Sequence, residues 1–340
     1  MQKKTLISLT ACLFILSIML GGCSTMQDKS AGTTANKYPN KPITFIVPFG
    51  IGGGTDLVAR LLEKSAPTYL GQSLVIVNKP GASGTLGWNE LSGAKPDGYT
   101  IGIAGTELLL QPLYGPSKYH YPTALEPLAQ IVSLSMVMAV KKEQPWQNVD
   151  DLIAYAREHP GEIKFGHTGV GGLGHVAGEA FAKIANIHLE QVPFQSGAEA
   201  TASLLGGHVQ VVFLNPASIK EHTKSGMLKA LAVSGKQRLT DPVYTTVPTF
   251  KEQGFDVVYD NWYTIAAPKG LPPEVKGKLV DGLQVMINNP EFKKSIEQLG
   301  LQISYLGPKE LKEKWLDDSE QLTKVVQETG ILDKIKGQKK

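Results

Sequence analysis

The 340 residues carry 34 lysines and arginines against 31 acids, a formal net charge of +3. No basic stripe interleaved with aromatics accompanies that small excess, which argues against a nucleic-acid partner. Both cysteines, Cys12 and Cys23, lie near the N-terminus, so the rest of the chain must hold together by its core alone.

Met1 to Gly22 reads as a leader: Lys3 and Lys4, then an apolar run from Thr5 to Leu20 too short for a comfortable membrane span. It ends in Leu20-Gly21-Gly22-Cys23, which resembles the bacterial lipoprotein signal with Cys23 as the lipid-modified first mature residue. An ordinary secretory leader that contains a cysteine is the other reading. Residues 24–37 are polar and aperiodic, a flexible tether from the lipidated Cys23. Losing Lys3 and Lys4 takes the basic count from 34 to 32 against 31 acids. About 300 residues remain, enough for one large core or two smaller ones.

Short apolar runs then alternate with amphipathic stretches, the pattern of α/β architecture. Ile43 to Val47 is a strand ended by Pro48, and a turn with Gly50, Gly52, Gly53 and Gly54 leads into a helix from Leu57. Glycines let such a turn aim its amides at one point, and a helix start adds unpaired N–H groups and a positive dipole end. The turn is therefore either an anion site or merely a compact connection. Asp56 reads as a helix-start residue or a ligand contact. Leu74 to Asn78 and Tyr99 to Ala104 are further strands, with Gly105 and Thr106 at the end of the second. Leu128 to Val140 is a long extended region.

A second strand, glycine loop and helix follow: Ile163 to Phe165, Gly166 to Gly174, and His175 to Ala185. Gly169-Val170-Gly171-Gly172-Leu173-Gly174 matches a dinucleotide fingerprint, with Glu190 in the acidic position. The short strand, the early acid and the exported compartment favour an anion-binding helix start instead. His167 and His175 are close enough for a metal pair, yet no Cys, Asp or Glu lies between them to complete a site. Ser83 lacks a base by local spacing, which leaves a serine hydrolase weakly supported. Residues 48–56, 166–175 and 193–197 contain no Lys or Arg. A bound carboxylate would thus rest on backbone amides, Thr55, Thr168, Ser196 and bridging water. Trp262 either closes the apolar side of a pocket or is core. Beyond Pro272-Pro273 the chain reads as helices. The picture is of two α/β lobes with a glycine loop at a strand end of each.

The mature chain resembles the extracytoplasmic solute receptors of tripartite tricarboxylate transporters, the TctC or Bug family. Carrying the resemblance are Tyr38-Pro39, Lys41-Pro42-Ile43, Val47-Pro48-Phe49, Gly52 to Asp56, Leu70-Gly71-Gln72 and Asn78 to Gly84. Pro96 to Thr100, Phe165-Gly166, Gly169, Gly171, His175, Val192-Pro193-Phe194, Leu231-Ala232-Val233, Val247-Pro248-Thr249 and Trp262 continue it. It implies a two-lobed, type II-like Venus-flytrap periplasmic-binding fold, α/β in class, with crossover strands near Val137 to Lys141 and Trp262 to Ala266. Lobe 1 would span 38–138 and 264–340, and lobe 2 would span 139–263.

The resemblance also implies a binding protein without catalysis, cofactor or metal, monomeric, outside the cytoplasm and anchored to a membrane through Cys23. It implies a small carboxylate, di- or tricarboxylate in kind, and a membrane permease of one large and one small subunit as partner. The ligand would meet Phe49, Gly52, Gly53, Gly54, Thr55, Asp56, Thr106, His167, Thr168, Gly169, Gly171, Phe194, Ser196, Asn215 and Trp262. Family members usually have Ala-Pro for Gly50-Ile51, Ser-Ser for His167-Thr168, Tyr for Phe194 and Lys-Gly for Gln195-Ser196, and often Asp for Leu214. These departures border the expected pocket and leave the ligand's identity open. An exported hydrolase and a ligand-presenting sensor are the alternative functions.

Overall fold

Two parallel apolar strands flank the first glycine turn's own strand, and a sheet grows outward from them. In the computed structural model, which describes residues 38–115 and 117–338, β1 (Ile43–Val47) pairs in parallel with β2 (Leu74–Asn78) and β3 (Thr100–Gly105). The expected leader, Cys23 and the tether through Lys37 lie outside the described residues. Antiparallel to β3 runs β10 (Asp260–Pro268), followed by β4 (Leu125–Ser135) and the edge strand β11 (Gln302–Leu306). The sheet order is β11-β4-β10-β3-β1-β2.

A second, five-stranded sheet has the order β7-β6-β8-β5-β9. It consists of β5 (Val137–Lys141), β6 (Lys164–His167), β7 (Glu190–Pro193), β8 (Val211–Leu214) and β9 (Leu228–Val233). The long extended stretch read from Leu128 to Val140 is thus two strands, one in each sheet, separated only by Met136. The chain returns to the first sheet through residues 234–259.

One buried serine stitches the two crossings together. The Met136 amide donates to Ser234 Oγ at 2.9 Å, and that hydroxyl donates to the Tyr259 carbonyl at 2.7 Å. The Ser234 amide answers to the Met136 carbonyl, and the Tyr259 amide to the Ser234 carbonyl. Four satisfied bonds around a fully buried residue hold both crossings at one point.

Helices cover the sheets because their apolar faces have nowhere else to go. In the Gly54–Leu70 helix Val58, Ala59, Leu62, Ala66 and Leu70 are buried, and Gly71 ends it in the left-handed region at φ 75°. The Leu173–Ile184 helix is buried on almost every residue from Leu173 to Ala182. It lies under the C-terminal Pro308–Thr329 helix, where Lys183 Nζ donates to the Glu328 carbonyl at 2.7 Å. No helix among the described residues is long and apolar enough to cross a membrane.

Candidate functional site

Both glycine turns stand at strand ends and face the gap between the sheets. The first runs from Phe49 to Gly53 and starts the Gly54–Leu70 helix, which has no side-chain cap at Gly53. Its free first-turn N–H groups belong to residues lining a small inner cavity: Gly53, Gly54 and Thr55 from one lobe, with Thr168, Gly197, Leu214 and Asn215 from the other. Phe49, Glu107, Met136, Asn261 and Tyr263 complete the wall. The cavity measures about 20 Å³, room for roughly one water. Beyond Phe49 and Thr168 opens an outer cleft of about 520 Å³, lined by residues that include Gly81 to Thr85, Tyr114, Gly169, Val170, Phe194 and Gln195.

The first turn is braced from behind. Asp56 Oδ2 accepts from the Gly52 amide at 3.0 Å, and Oδ1 accepts from Asn78 Nδ2 at 2.9 Å and from Arg60. Asn78 Nδ2 also donates to the Phe49 carbonyl at 3.0 Å. The Asp56 carboxylate therefore points back into the turn, while Gly52 takes the positive φ of 78° that the turn requires.

Three hydrogen bonds close the lobes over the cleft. The Gly50 amide donates to the Gln195 carbonyl at 2.9 Å, Ser83 Oγ to the Val170 carbonyl at 3.0 Å, and Gln111 Nε2 to the Gly171 carbonyl at 3.3 Å. Ser83 and Ala82 occupy the left-handed region at φ 50° and 47°, where side chains are strained. The Ser83 hydroxyl donates its proton to Val170 on the second glycine turn, one of the contacts that fix this conformation. Gly169 has φ 113°, and a Cβ there would collide with Ser83 Oγ.

The second turn has a filled interior. His167 and His175 stack with ring centroids 4.6 Å apart, and both are fully buried. Burial first, then repulsion from His175, holds the His167 imidazole down at about 3, so the ring is neutral and has a single N–H. Nδ1 lies 3.0 Å from the Gly169 carbonyl, which can only accept, so the proton is on Nδ1. With the proton on Nδ1, Nε2 is an acceptor, and Gln191, whose Oε1 lies 2.7 Å away, satisfies it with its amide turned to present the NH2. His175 Nδ1 accepts from the Gly171 amide at 3.0 Å. His167 thus faces the loop carbonyl of Gly169 on one side and β7 on the other, and no group of three metal-ligating side chains occurs among the described residues.

The remaining expected contacts are distributed as follows. Thr106 Oγ1 accepts from the Trp262 amide at 3.2 Å, and the Thr106 amide donates to Asn261 Oδ1. Trp262 stacks on Trp315 and donates Nε1–H to Asp318 at 2.7 Å, away from both cavities. Ser196 and Asn215 cap the Gly197–Leu205 and Pro216–Lys224 helices by accepting from Glu199 and Ser218 amides. Asn215 lines the inner cavity as well.

Sequence reading missed Glu107, Asn261 and Tyr263. Glu107 heads an apolar run at the end of β3, and an acid in that place is the signal that was available. Its carboxyl is pushed up by burial, against the opposing pull of its own amide, the Leu173 amide and the Asn261 side chain.

Residues 58–331 match the family described as "Tripartite tricarboxylate transporter family receptor". The chain belongs to this family, TctC. Protein BugT of Bordetella pertussis is 31% identical over 250 residues, 72% of this chain and 76% of BugT. The solved structure of periplasmic binding protein BugD superposes with a TM-score of 0.82 at 30% identity, covering 86% of this chain and 99% of BugD. The R. palustris protein Rpa4515, solved with adipate, gives 0.82 at 27% identity over 86% of this chain and 98% of its own. The two mixed sheets are thus the two-domain α/β fold of periplasmic binding proteins, and the chain is a solute-binding protein of the TctC/Bug family.

Proposed function

We propose that this TctC-family protein captures a small carboxylate, a di- or tricarboxylate, between its lobes and delivers it to a membrane permease with one large and one small subunit. The observation that carries the reading is the uncapped start of the Gly54–Leu70 helix, whose first residues line a cavity shared with the other lobe. Main-chain donors at a dipole's positive end suit a carboxylate, and no lysine or arginine lines that cavity to compete for the task. Adipate in Rpa4515 supports the same ligand class. The cleft residues of the reading are Phe49, Gly53 to Thr55, Thr168, Gly169, Phe194 and Asn215. Gly52, whose amide is taken by Asp56, joins Asp56, Thr106, His167, Gly171, Ser196 and Trp262 in shaping them from behind.

Binding works through closure. A ligand that touches both lobes adds its interaction energy only to the closed state and shifts the population toward it. Lipidated Cys23 and the tether would keep the receptor at the membrane outside the cytoplasm. Carboxylate desolvation is offset only if amides replace the lost water. The test is Gly53→Val, whose branched side chain would intrude where a Cβ already lies 3.2 Å from the Gly197 amide. Calorimetry against mono-, di- and tricarboxylates should show binding by the wild type and none by the variant, with the melting temperature kept. Unchanged affinity in a folded variant would refute the amide cradle.

A further inference from the structure

The chain passes between the two sheets at Met136 and through residues 234–259, so the cleft widens by turning one lobe against the other about these passages. A contact that spans the lobes away from the cleft then weighs on the closed state whatever the cleft holds. Lys220 makes such a contact. It stands on the Pro216–Lys224 helix, which packs on β9 of the second sheet. Its Nζ donates to the Gln298 carbonyl at 2.7 Å and to the Glu297 carbonyl at 3.2 Å. Those carbonyls end the Pro290–Gln298 helix, which packs on β11 of the first sheet. They are among the four that a helix leaves without intrahelical partners, at the negative end of its dipole.

The ammonium is presented, not trailing. Asp241 Oδ2 holds Nζ at 2.7 Å, and Asp241 Oδ1 accepts from the Val243 amide at 2.9 Å, so one lobe sets the pair independently of the other. The Lys220 and Asp241 side chains are only 11% and 10% exposed. Gly300, just past the helix end, fits against them: a Cβ there would lie 3.1 Å from Lys220 Cδ. A charge-assisted bond at such depth is strong, and a few ångströms of lobe movement break it. Lys183 is the contrast. It too bridges the lobes, donating to the Glu328 carbonyl at 2.7 Å, but from an exposed position where water competes for its ammonium. Neither lysine lines the inner cavity or the outer cleft. We propose that Lys220 is a latch on closure, a positioning residue that caps the Pro290–Gln298 helix across the lobes and favours the closed form without meeting the guest.

The experiment is amide hydrogen exchange on the full chain with no ligand added. It is read at Gly50, whose N–H reaches the Gln195 carbonyl across the cleft and is freed when the lobes part. Lys220→Met keeps the stem and removes the charge. Gly50 exchange should then speed up on the order of tenfold, the loss expected for a hydrogen bond to a charged group. Amides in the middle of the Gly54–Leu70 helix should keep their rate, and Lys183→Met should move Gly50 far less. An unchanged Gly50 rate in Lys220→Met would overturn the proposal. So would an equal acceleration in that helix, which would make Lys220 a tie of the whole fold, or an equal effect of Lys183→Met. Asp241→Asn is a milder cut at the same ammonium and decides the question if Lys220→Met does not fold. It should speed Gly50 exchange by a smaller factor, and no change there would overturn the latch. Every arm omits the ligand, so the fate of the carboxylate reading does not touch the result.

Discussion

The two glycine turns follow one local plan, a strand end, clustered glycines and an uncapped helix start, yet they present opposite interiors. At Gly53–Thr55 the helix start faces a cavity open to a guest. At Gly169–Leu173 the equivalent volume is taken by the chain itself: two stacked imidazoles, the Ser83 hydroxyl against Val170, and Glu107 near the Leu173 amide. A helix N-terminus is thus a vacancy for negative charge that either a ligand or a neighbouring side chain can fill. Glycine spacing does not distinguish the two outcomes, because the filler comes from far away in sequence.

The sharpest way to break the comparison is to fill the vacant turn. In Gly54→Ala the new Cβ would collide with Asn215 Oδ1 across the cleft. Overpacking of this kind costs about 1–3 kcal/mol. Here that cost falls on the closed state alone, so affinity should drop roughly tenfold to a hundredfold while the open form folds normally. Titration calorimetry beside a thermal melt would separate the two effects. A variant that binds as well as the wild type would show that the lobes do not need this approach.

The filled turn should reveal itself through pH. An unfolded histidine titrates near 6.5, whereas buried His167 is held at about 3. Between those values the unfolded chain binds a proton that the native one refuses. Stability is therefore fully present above 6.5 and falls as pH drops, by about 1.4 kcal/mol per unit. His167→Gln removes this term. Unfolding free energies from urea titrations should decline less steeply from pH 6.5 to 5 in the variant, by about 1.5–2 kcal/mol over that range. Parallel slopes would mean that His167 takes up its proton in the native state.

Much of the scaffold was legible because its strands announce themselves. Ile43 to Val47 and Leu74 to Asn78 are apolar, β-branched runs bounded by turn residues, and the structure has strands there. The α/β class and the TctC resemblance followed from such runs and their motifs. β11 was not legible: Gln302 to Leu306 is a half-buried edge strand with polar Gln302 and Ser304, and it lacks the apolar signal. Met136 was not legible either, since a single residue passing between sheets leaves an unbroken apolar run. At the site, Gly53, Gly54 and Thr55 could be read because helix-start chemistry is local. Glu107, Asn261 and Tyr263 could not, since they meet only when the end of β3 is brought against β10, as in the Thr106–Asn261 bond across 155 positions.

The brace behind the vacant turn acts on the ligand only indirectly, through the amides it steadies. Asn78 donates to both the Phe49 carbonyl and Asp56, so Asn78→Ala leaves a carbonyl and one carboxylate oxygen short of a partner. Losing the neutral bond to Phe49 costs about 1 kcal/mol, and losing the one to the Asp56 carboxylate about 1.5–3 kcal/mol. Asp56 keeps the Gly52 amide and Arg60, so the turn should loosen without unfolding. Arg60 alone matters less: its side chain is 42% exposed, so solvent screens much of its pull on the buried Asp56, and the pair is worth about 1 kcal/mol. Chemical denaturation should therefore rank Asn78→Ala below the wild type and Arg60→Ala close to it. Ligand affinity should follow the same order if bracing the amides is what the Asp56–Asn78 pair does. Loss of stability without loss of affinity in Asn78→Ala would mean that the donors at Gly53 to Thr55 hold their aim through the helix alone.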